Sequence, residues 1–394
     1  MFKKLVAMLV IFTMIFSLAA CGNKPQESGD SGNGGEVATG GDAGDTNEDS
    51  GSDYKIGIMT GTVSQGEEEF RAAERMIETY GDMIKHVTYP DKFSQEVETT
   101  ISNVKSLAAD KDVKAIIIVQ AVPGTAAAID AVKEMRDDIL FIVGAPHEDP
   151  ELIAERVDIA LELNQLQRGK NIMQTAKDMG AETFVHYSFP RHMSYELLSA
   201  RRDELKKSAD ELGIKFVEID APDPTGDAGV PGAQQFIHED VPRVVEQYGK
   251  NTAFFNTNCG MQEPLIKQAL ETGAIYPEQC CPSPYHAYPG ALGIEIPEDK
   301  AGDLDYLSEQ IREKVAEKGG TGRFGTWKTP ANVAMIEAGV KYSIEYLDGE
   351  IERLDKDAMT RLMREITEDN ELVLEPLDED NPNFLLFVIQ SQIF

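Results

Sequence analysis

Apolar and polar residues alternate in blocks along the chain from Tyr54 onward. Short runs rich in Val, Ile, Phe and Leu predict strands at 55–59, 84–89, 113–119, 139–143, 156–161, 183–187, 214–219, 252–256 and 292–296. Stretches whose apolar residues recur every three or four positions predict helices at 65–80, 93–109, 124–137, 164–180, 194–212, 232–249 and 261–273. Ile116-Ile117-Ile118-Val119 has no polar alternation, which is the pattern of a strand covered on both faces. Such strands alternating with helices predict parallel sheets layered between helices.

The pattern divides near residue 162 into two stretches, 54–162 and 163–300, each with several βα units. After residue 300 the order changes. Helices at 304–318, 331–347 and 355–368 precede a strand at 384–389. A late strand after a helical run predicts that 301–394 recrosses between the lobes and completes both. The predicted fold class is α/β, two doubly wound parallel-sheet lobes with a ligand cleft between them. Ligands of open α/β sheets bind beyond the carboxyl ends of the strands, so the loops that follow strands hold the candidate site residues.

The first such loop is Thr60-Gly61-Thr62-Val63-Ser64-Gln65. Its glycine and small hydroxyls allow backbone N–H groups to approach a ligand. No Gly-Lys-Ser/Thr follows, so it is not a P-loop. The competing reading is a helix cap at Thr62 or Ser64. Gln120 ends the third strand with a donor and an acceptor, and His147 follows the fourth. The strand Thr183–Tyr187 is broken by Pro190, and Ser194 is placed to cap the next helix. The loop between them carries Ser188, Phe189, Arg191 and His192. Tyr187 and Phe189 offer faces for stacking on a ligand. Arg191 offers a planar fork of donors for a carboxylate, a phosphate or paired hydroxyls, or pairs with a surface carboxylate. Asn256 and Asn258 end the strand 252–256. Ser283, Tyr285 and His286 lie in the proline-stiffened Cys281-Pro-Ser-Pro-Tyr-His286, and Trp327, the only tryptophan, reads as packing.

Composition narrows the function classes. The formal net charge of −32 argues against nucleic-acid binding, which needs clustered Lys and Arg. No Gly-x-Ser-x-Gly elbow and no His-Glu-x-x-His occurs, and the six histidines are scattered among loops. Beyond Cys21 the cysteines are Cys259, Cys280 and Cys281. Their odd number and spacing indicate neither a disulfide framework nor a common zinc pattern, so neither a metal nor another cofactor is expected.

The N-terminus reads as a targeting segment. Lys3 and Lys4 precede the apolar run Leu5–Phe16, and Leu18-Ala19-Ala20-Cys21 closes it. This resembles the bacterial lipobox, which implies a signal peptide at 1–20 and acylation of Cys21. Residues 22–53 contain nine Gly, eight Asp or Glu and one base, Lys24. Residues 21–53 therefore read as a lipidated cysteine and a disordered tether, spanning roughly 30 Å on average.

Two lobes and a lipobox together resemble the type I periplasmic-binding-protein fold of ribose-binding proteins and related repressors. More narrowly, Thr60-Gly-Thr-Val-Ser-Gln-Gly-Glu67 and Phe184-Val-His-Tyr-Ser-Phe-Pro-Arg-His-Met193 resemble an uncharacterised lipoprotein family of Gram-positive anaerobes. The resemblance covers about 54–394. It implies an extracytoplasmic lipoprotein on the outer face of the cytoplasmic membrane, handing a small polar solute to an ABC-type permease. Two alternatives remain. One is a tethered sensor using the same cleft. The other is an enzyme, since Asn-Thr-Asn-Cys259 loosely resembles racemases that move a proton between two cysteines.

Overall fold

The computed structural model describes residues 53–297 and 300–394. The predicted signal peptide, the lipidated Cys21 and the tether lie outside the described residues, apart from Asp53. Among the described residues no helix is long and apolar enough to cross a membrane.

The first lobe opens with four βα units and a fifth strand. These are β1 (Lys55–Thr60), α1 (Val63–Tyr80), β2 (Ile84–Thr88), α2 (Val97–Ala109), β3 (Val113–Val119), α3 (Thr125–Lys133), β4 (Leu140–Gly144), α4 (Pro150–Ala154) and β5 (Ile159–Leu163). The chain then enters the second lobe through α5 (Gln165–Asp178), β6 (Thr183–Ser188), α6 (Pro190–Met193), α7 (Glu196–Leu212), β7 (Lys215–Asp220), α8 (Gly229–Tyr248) and β8 (Thr252–Asn256). That lobe continues with α9 (Gln262–Thr272), α10 (Tyr288–Leu292), α11 (Leu304–Glu317) and β9 (Gly325–Trp327). A return to the first lobe brings α12 (Ala331–Leu347), α13 (Lys356–Thr367), β10 (Glu375–Pro376) and β11 (Phe384–Phe387), and β12 (Ser391–Ile393) ends on β9 in the second.

The first sheet has the order β10-β11-β5-β4-β3-β1-β2. Its pairs are parallel except for β10 with β11. The isoleucine run of β3 shows why this sheet needs helices on both faces. Ile117 packs with α12 and α13, while Ile116 and Ile118 pack with α2 and α3 on the other side. Each is fully buried, and burying one such side chain contributes about 1.5–3 kcal/mol. The second sheet, β7-β6-β8, is parallel, and bridges from Ala253 to Ile275 and from Tyr276 to Phe324 extend it. Val185, Tyr187 and Phe254 pack under α8 and α9, and Phe184 and Phe255 under α5 and α7.

The chain therefore crosses between lobes after β5, after β9 and after β11. Two expectations fail locally. Residues 292–296 form no strand: Gly293, at φ 66°, ends α10, and Ile294 bonds back to Pro289 O at 2.9 Å. Ser194 does not cap α7. Its hydroxyl donates to Arg191 O at 2.7 Å, and Tyr195 holds the cap position.

Candidate functional site

Parallel pairing puts the carboxyl ends of β1, β3 and β4 on one edge of the first sheet, and those of β6 and β8 on one edge of the second. One hydrogen bond joins the two groups of loops. Ser283, fully buried in the second lobe, donates through Oγ to Glu68 on α1 of the first. Its Oγ also accepts from Tyr285 N at 3.0 Å.

Glu68 and Glu69 are the acidic centre of this edge. Glu69 is 1% exposed, and its carboxylate accepts from Gln120 Nε2 at 2.8 Å and from Asn332 Nδ2 at 3.3 Å. Burial raises its pKa to about 7. Burial and the neighbouring Glu69 raise Glu68 to about 8. Gly66 makes room for this arrangement. Its backbone breaks the helical path of α1, and a Cβ there would meet Glu69 Oε1 at 1.9 Å.

The second lobe contributes a buried arginine layer. Arg168 donates through Nε and Nη2 to Glu278 Oε1 at 3.0 and 2.7 Å, and through Nη2 to the carbonyls of Gln279 and Cys280 at 3.1 and 3.2 Å. Trp327 Nε1 holds the other oxygen of Glu278 at 2.7 Å, with the Arg168 guanidinium 5.4 Å from its ring. Arg201 donates to Gln165 Oε1 at 2.8 Å, and its Nε has no partner. Burial and the nearby Arg168 lower its pKa to about 9.

Above Arg168 the three thiols meet. Cys259 Sγ is 3.4 Å from Cys280 Sγ and 3.7 Å from Cys281 Sγ. The neighbouring thiols stabilise Cys280 as thiolate and push its pKa down, while Cys259 is pushed up. In this arrangement the two thiols are in contact, with no room for a carbon atom between them.

The sequence-predicted residues separate into three groups. Gln120, Asn256 and Ser283 lie at the facing strand ends, and Asn256 is fully buried with its Oδ1 unpartnered. His147 is exposed there and meets Phe93 edge-on at 5.9 Å. Thr60, Thr62, Asn258, His192 and Arg191 are engaged within the protein. Thr60 Oγ1 is 2.8 Å from His86 Nε2, Thr62 donates to Asp91, and Asn258 Oδ1 accepts from Gly260 N at 2.9 Å. His192 Nδ1 lies 3.1 Å from Thr257 Oγ1, and burial lowers its pKa to about 4. Arg191 spends its fork on Asp223, from Nε at 2.8 Å and from Nη2 at 3.0 Å. The side chains of Ser64 and Gln65 lie outside the described residues.

Tyr187 and Phe189 are corrections. Both are buried in the core of the second lobe, and Tyr187 donates to Asp240 on α8 at 2.9 Å. The period of two along β6 turns Tyr187 onto the helix-covered face, so neither ring can stack on a cleft ligand. Sequence reasoning missed Glu68, Glu69, Arg168, Arg201 and Glu278, and it related the cysteines only through the two-cysteine racemase reading. Arginine at core positions of amphipathic helices was the available signal.

A family comparison covers more than half of the chain. The chain belongs to the family described as "Protein of unknown function (DUF3798)". The match runs over residues 54–325. A Treponema pallidum (strain Nichols) protein described as "Uncharacterized protein" is 36% identical over 210 residues, covering 53% of this chain and 93% of that relative. Among solved structures, a "Putative transcriptional regulator" from Clostridium difficile 630 superposes with a TM-score of 0.74 at 26% identity, covering 86% of this chain and 99% of that one. A substrate-binding protein of a sugar ABC transport system from Bordetella parapertussis 12822 gives a TM-score of 0.54 at 11% identity over 86% of this chain and 88% of that one. This DUF3798 member shares the fold of those two structures, the second of which is a type I periplasmic-binding-protein-like sugar-binding protein.

Proposed function

We propose that this protein is a solute-binding lipoprotein whose two lobes close on a small polar ligand and present it to an ABC-type permease. The observation that carries the reading is the Glu68–Ser283 contact, which ties the strand-end loops of one lobe to those of the other. In the second lobe lie buried amide oxygens without protein partners, Asn256 Oδ1 and Gln279 Oε1, which suit a ligand that brings hydrogen-bond donors such as hydroxyls. Three crossings between the lobes provide a hinge about which they can open. A lipid on Cys21 would hold the protein at the outer face of the membrane, with 22–53 as tether. The acidic balance agrees with a solute rather than a nucleic acid as partner.

The test is native mass spectrometry of the purified protein, followed by release of any retained molecule with denaturant. A small polar molecule recovered intact, whose re-addition compacts the protein in small-angle X-ray scattering, is the expected result. Recovery of a chemically altered molecule after incubation would mean catalysis instead. No retained molecule, with no compaction by a panel of sugars, amino acids and nucleosides, would remove the reading.

A further inference from the structure

Four side chains from two separate segments of the second lobe converge beside the cleft. The sulfurs of Cys259, Cys280 and Cys281 are separated by 3.4, 3.7 and 3.9 Å. His286 Nε2 lies 4.0 Å from Cys280 Sγ, and the ligand atoms of Cys259, Cys280 and His286 all fall within 4.8 Å of one another. A tetrahedral ion with bonds of about 2.3 Å to sulfur has ligand atoms about 3.8 Å apart along each edge. The three sulfur separations bracket that edge. We propose that Cys259, Cys280, Cys281 and His286 bind a thiophilic cation of the zinc class, with three thiolates and one neutral imidazole.

Charge supplies an independent reason. Glu278 pairs with Arg168, whereas Arg201, 1% exposed, makes no ion pair among the described residues and leaves its Nε unpartnered. A buried guanidinium without a counter-charge is costly. A divalent ion with three thiolates carries one negative charge, and the Cys280 and Cys281 sulfurs are close enough to act on Arg201. On binding, each ligand cysteine that still carries its proton releases it to solvent, the imidazole binds as its neutral form, and no electron is transferred.

The loop is held by side-chain donors to its backbone carbonyls. Gln279 Nε2 donates to Ser283 O at 2.9 Å and to His286 O at 3.2 Å, closing the turn that brings His286 back over Cys280. Arg168 fixes the carbonyls of Gln279 and Cys280 from beneath. Cys259 is exposed and Cys280 buried, so an ion has a route in from the cleft side. All four ligands belong to the second lobe, and the site does not depend on the solute-binding reading.

The test uses the reduced protein, purified without oxygen, stripped with a chelator and titrated with Co²⁺ and then Zn²⁺. One equivalent of Co²⁺ should give thiolate-to-cobalt charge-transfer absorption with tetrahedral ligand-field bands, release protons, and be displaced by Zn²⁺. Cys259→Ser, at an exposed position, should weaken binding at least about 100-fold, and His286→Ala about 10- to 100-fold. Circular dichroism of each stripped variant, matched to the stripped wild type, excludes misfolding as the cause. Unchanged Co²⁺ affinity in Cys259→Ser would overturn the site. So would alkylation of only one of Cys259, Cys280 and Cys281 in the unreduced, metal-free protein with no metal taken up after reduction, because the cluster would then be a disulfide.

Discussion

Glu68 and Ser283 are 215 residues apart in sequence and hydrogen-bonded across the two lobes. The carboxyl belongs to α1 and the hydroxyl to the loop that carries the cysteines, so this contact depends on how the lobes are closed.

The contact should respond to pH. Glu69, His286 and Cys281 are the titratable neighbours of Glu68, and burial, with the Glu69 charge, raises its pKa from the ordinary 4.5 to about 8. Glu69 is raised in the same direction, to about 7. A raised carboxyl favours the protonated form in the closed arrangement. Its contribution is therefore complete below the ordinary value and is lost as pH rises through 7 to 8. The radius of gyration from small-angle scattering should increase between pH 6 and pH 9. Glu68→Gln, which cannot ionise, should stay compact over more of that range. A flat radius in the wild type from pH 5 to 9 would remove the pH-dependent latch.

Much of the fold is readable from periodicity, because it rests on burial. Strands 113–119 and 252–256 and helix 331–347 match their predicted limits, and each carries a largely buried apolar pattern. The misses have local causes. Strands β9 and β12 are three residues each, too short for any pattern, and exist because they pair with one another from distant parts of the chain. Residues 292–296 look apolar, but the left-handed Gly293 bends them into an irregular path. The site is less legible than the fold. Cys259 and Cys280 are 21 residues apart and meet only because the β8 and 276–286 segments lie side by side. Arg191 looked free to meet a ligand because nothing in the sequence marks Asp223 as its partner.

Arg191→Ala should change stability and leave ligand affinity within about twofold, since its fork is occupied by Asp223. The pair is partly exposed, so the loss should be about 1 kcal/mol or less. Arg191→Lys should recover part of it, because the planar fork and its position 5.1 Å from the Phe189 ring are not reproduced by an ammonium. Urea unfolding and calorimetric titration of both variants separate the two roles. A tenfold loss of affinity with unchanged stability would return Arg191 to the ligand site.

Cys21→Ala should move the protein from the membrane fraction to the soluble one, since among the described residues no helix can cross a membrane and the acyl group is the proposed anchor. Fractionation of cells expressing each form, with immunodetection, gives the answer directly. Continued sedimentation with membranes after a carbonate wash would require another anchor.

The Arg168–Glu278–Trp327 layer should be the most sensitive polar element of the second lobe. Arg168 is fully buried and Glu278 is 2% exposed, so each charge depends on the other for its stability. Arg168→Met leaves Glu278 buried with only the Trp327 N–H, and truncating one partner of such a pair costs about 3–5 kcal/mol. Replacing both, as Arg168→Met with Glu278→Leu, removes the stranded charge and should restore most of that loss. The carbonyls of Gln279 and Cys280 would still lack the Arg168 donor, so restoration should be incomplete. Trp327 reports on the same layer, because its indole loses the Glu278 acceptor only in variants at residue 278. Denaturant unfolding monitored by its fluorescence should show the single substitution as the least stable and the double as intermediate. A double variant no more stable than Arg168→Met would place the cost in the lost carbonyl contacts rather than in the uncompensated Glu278.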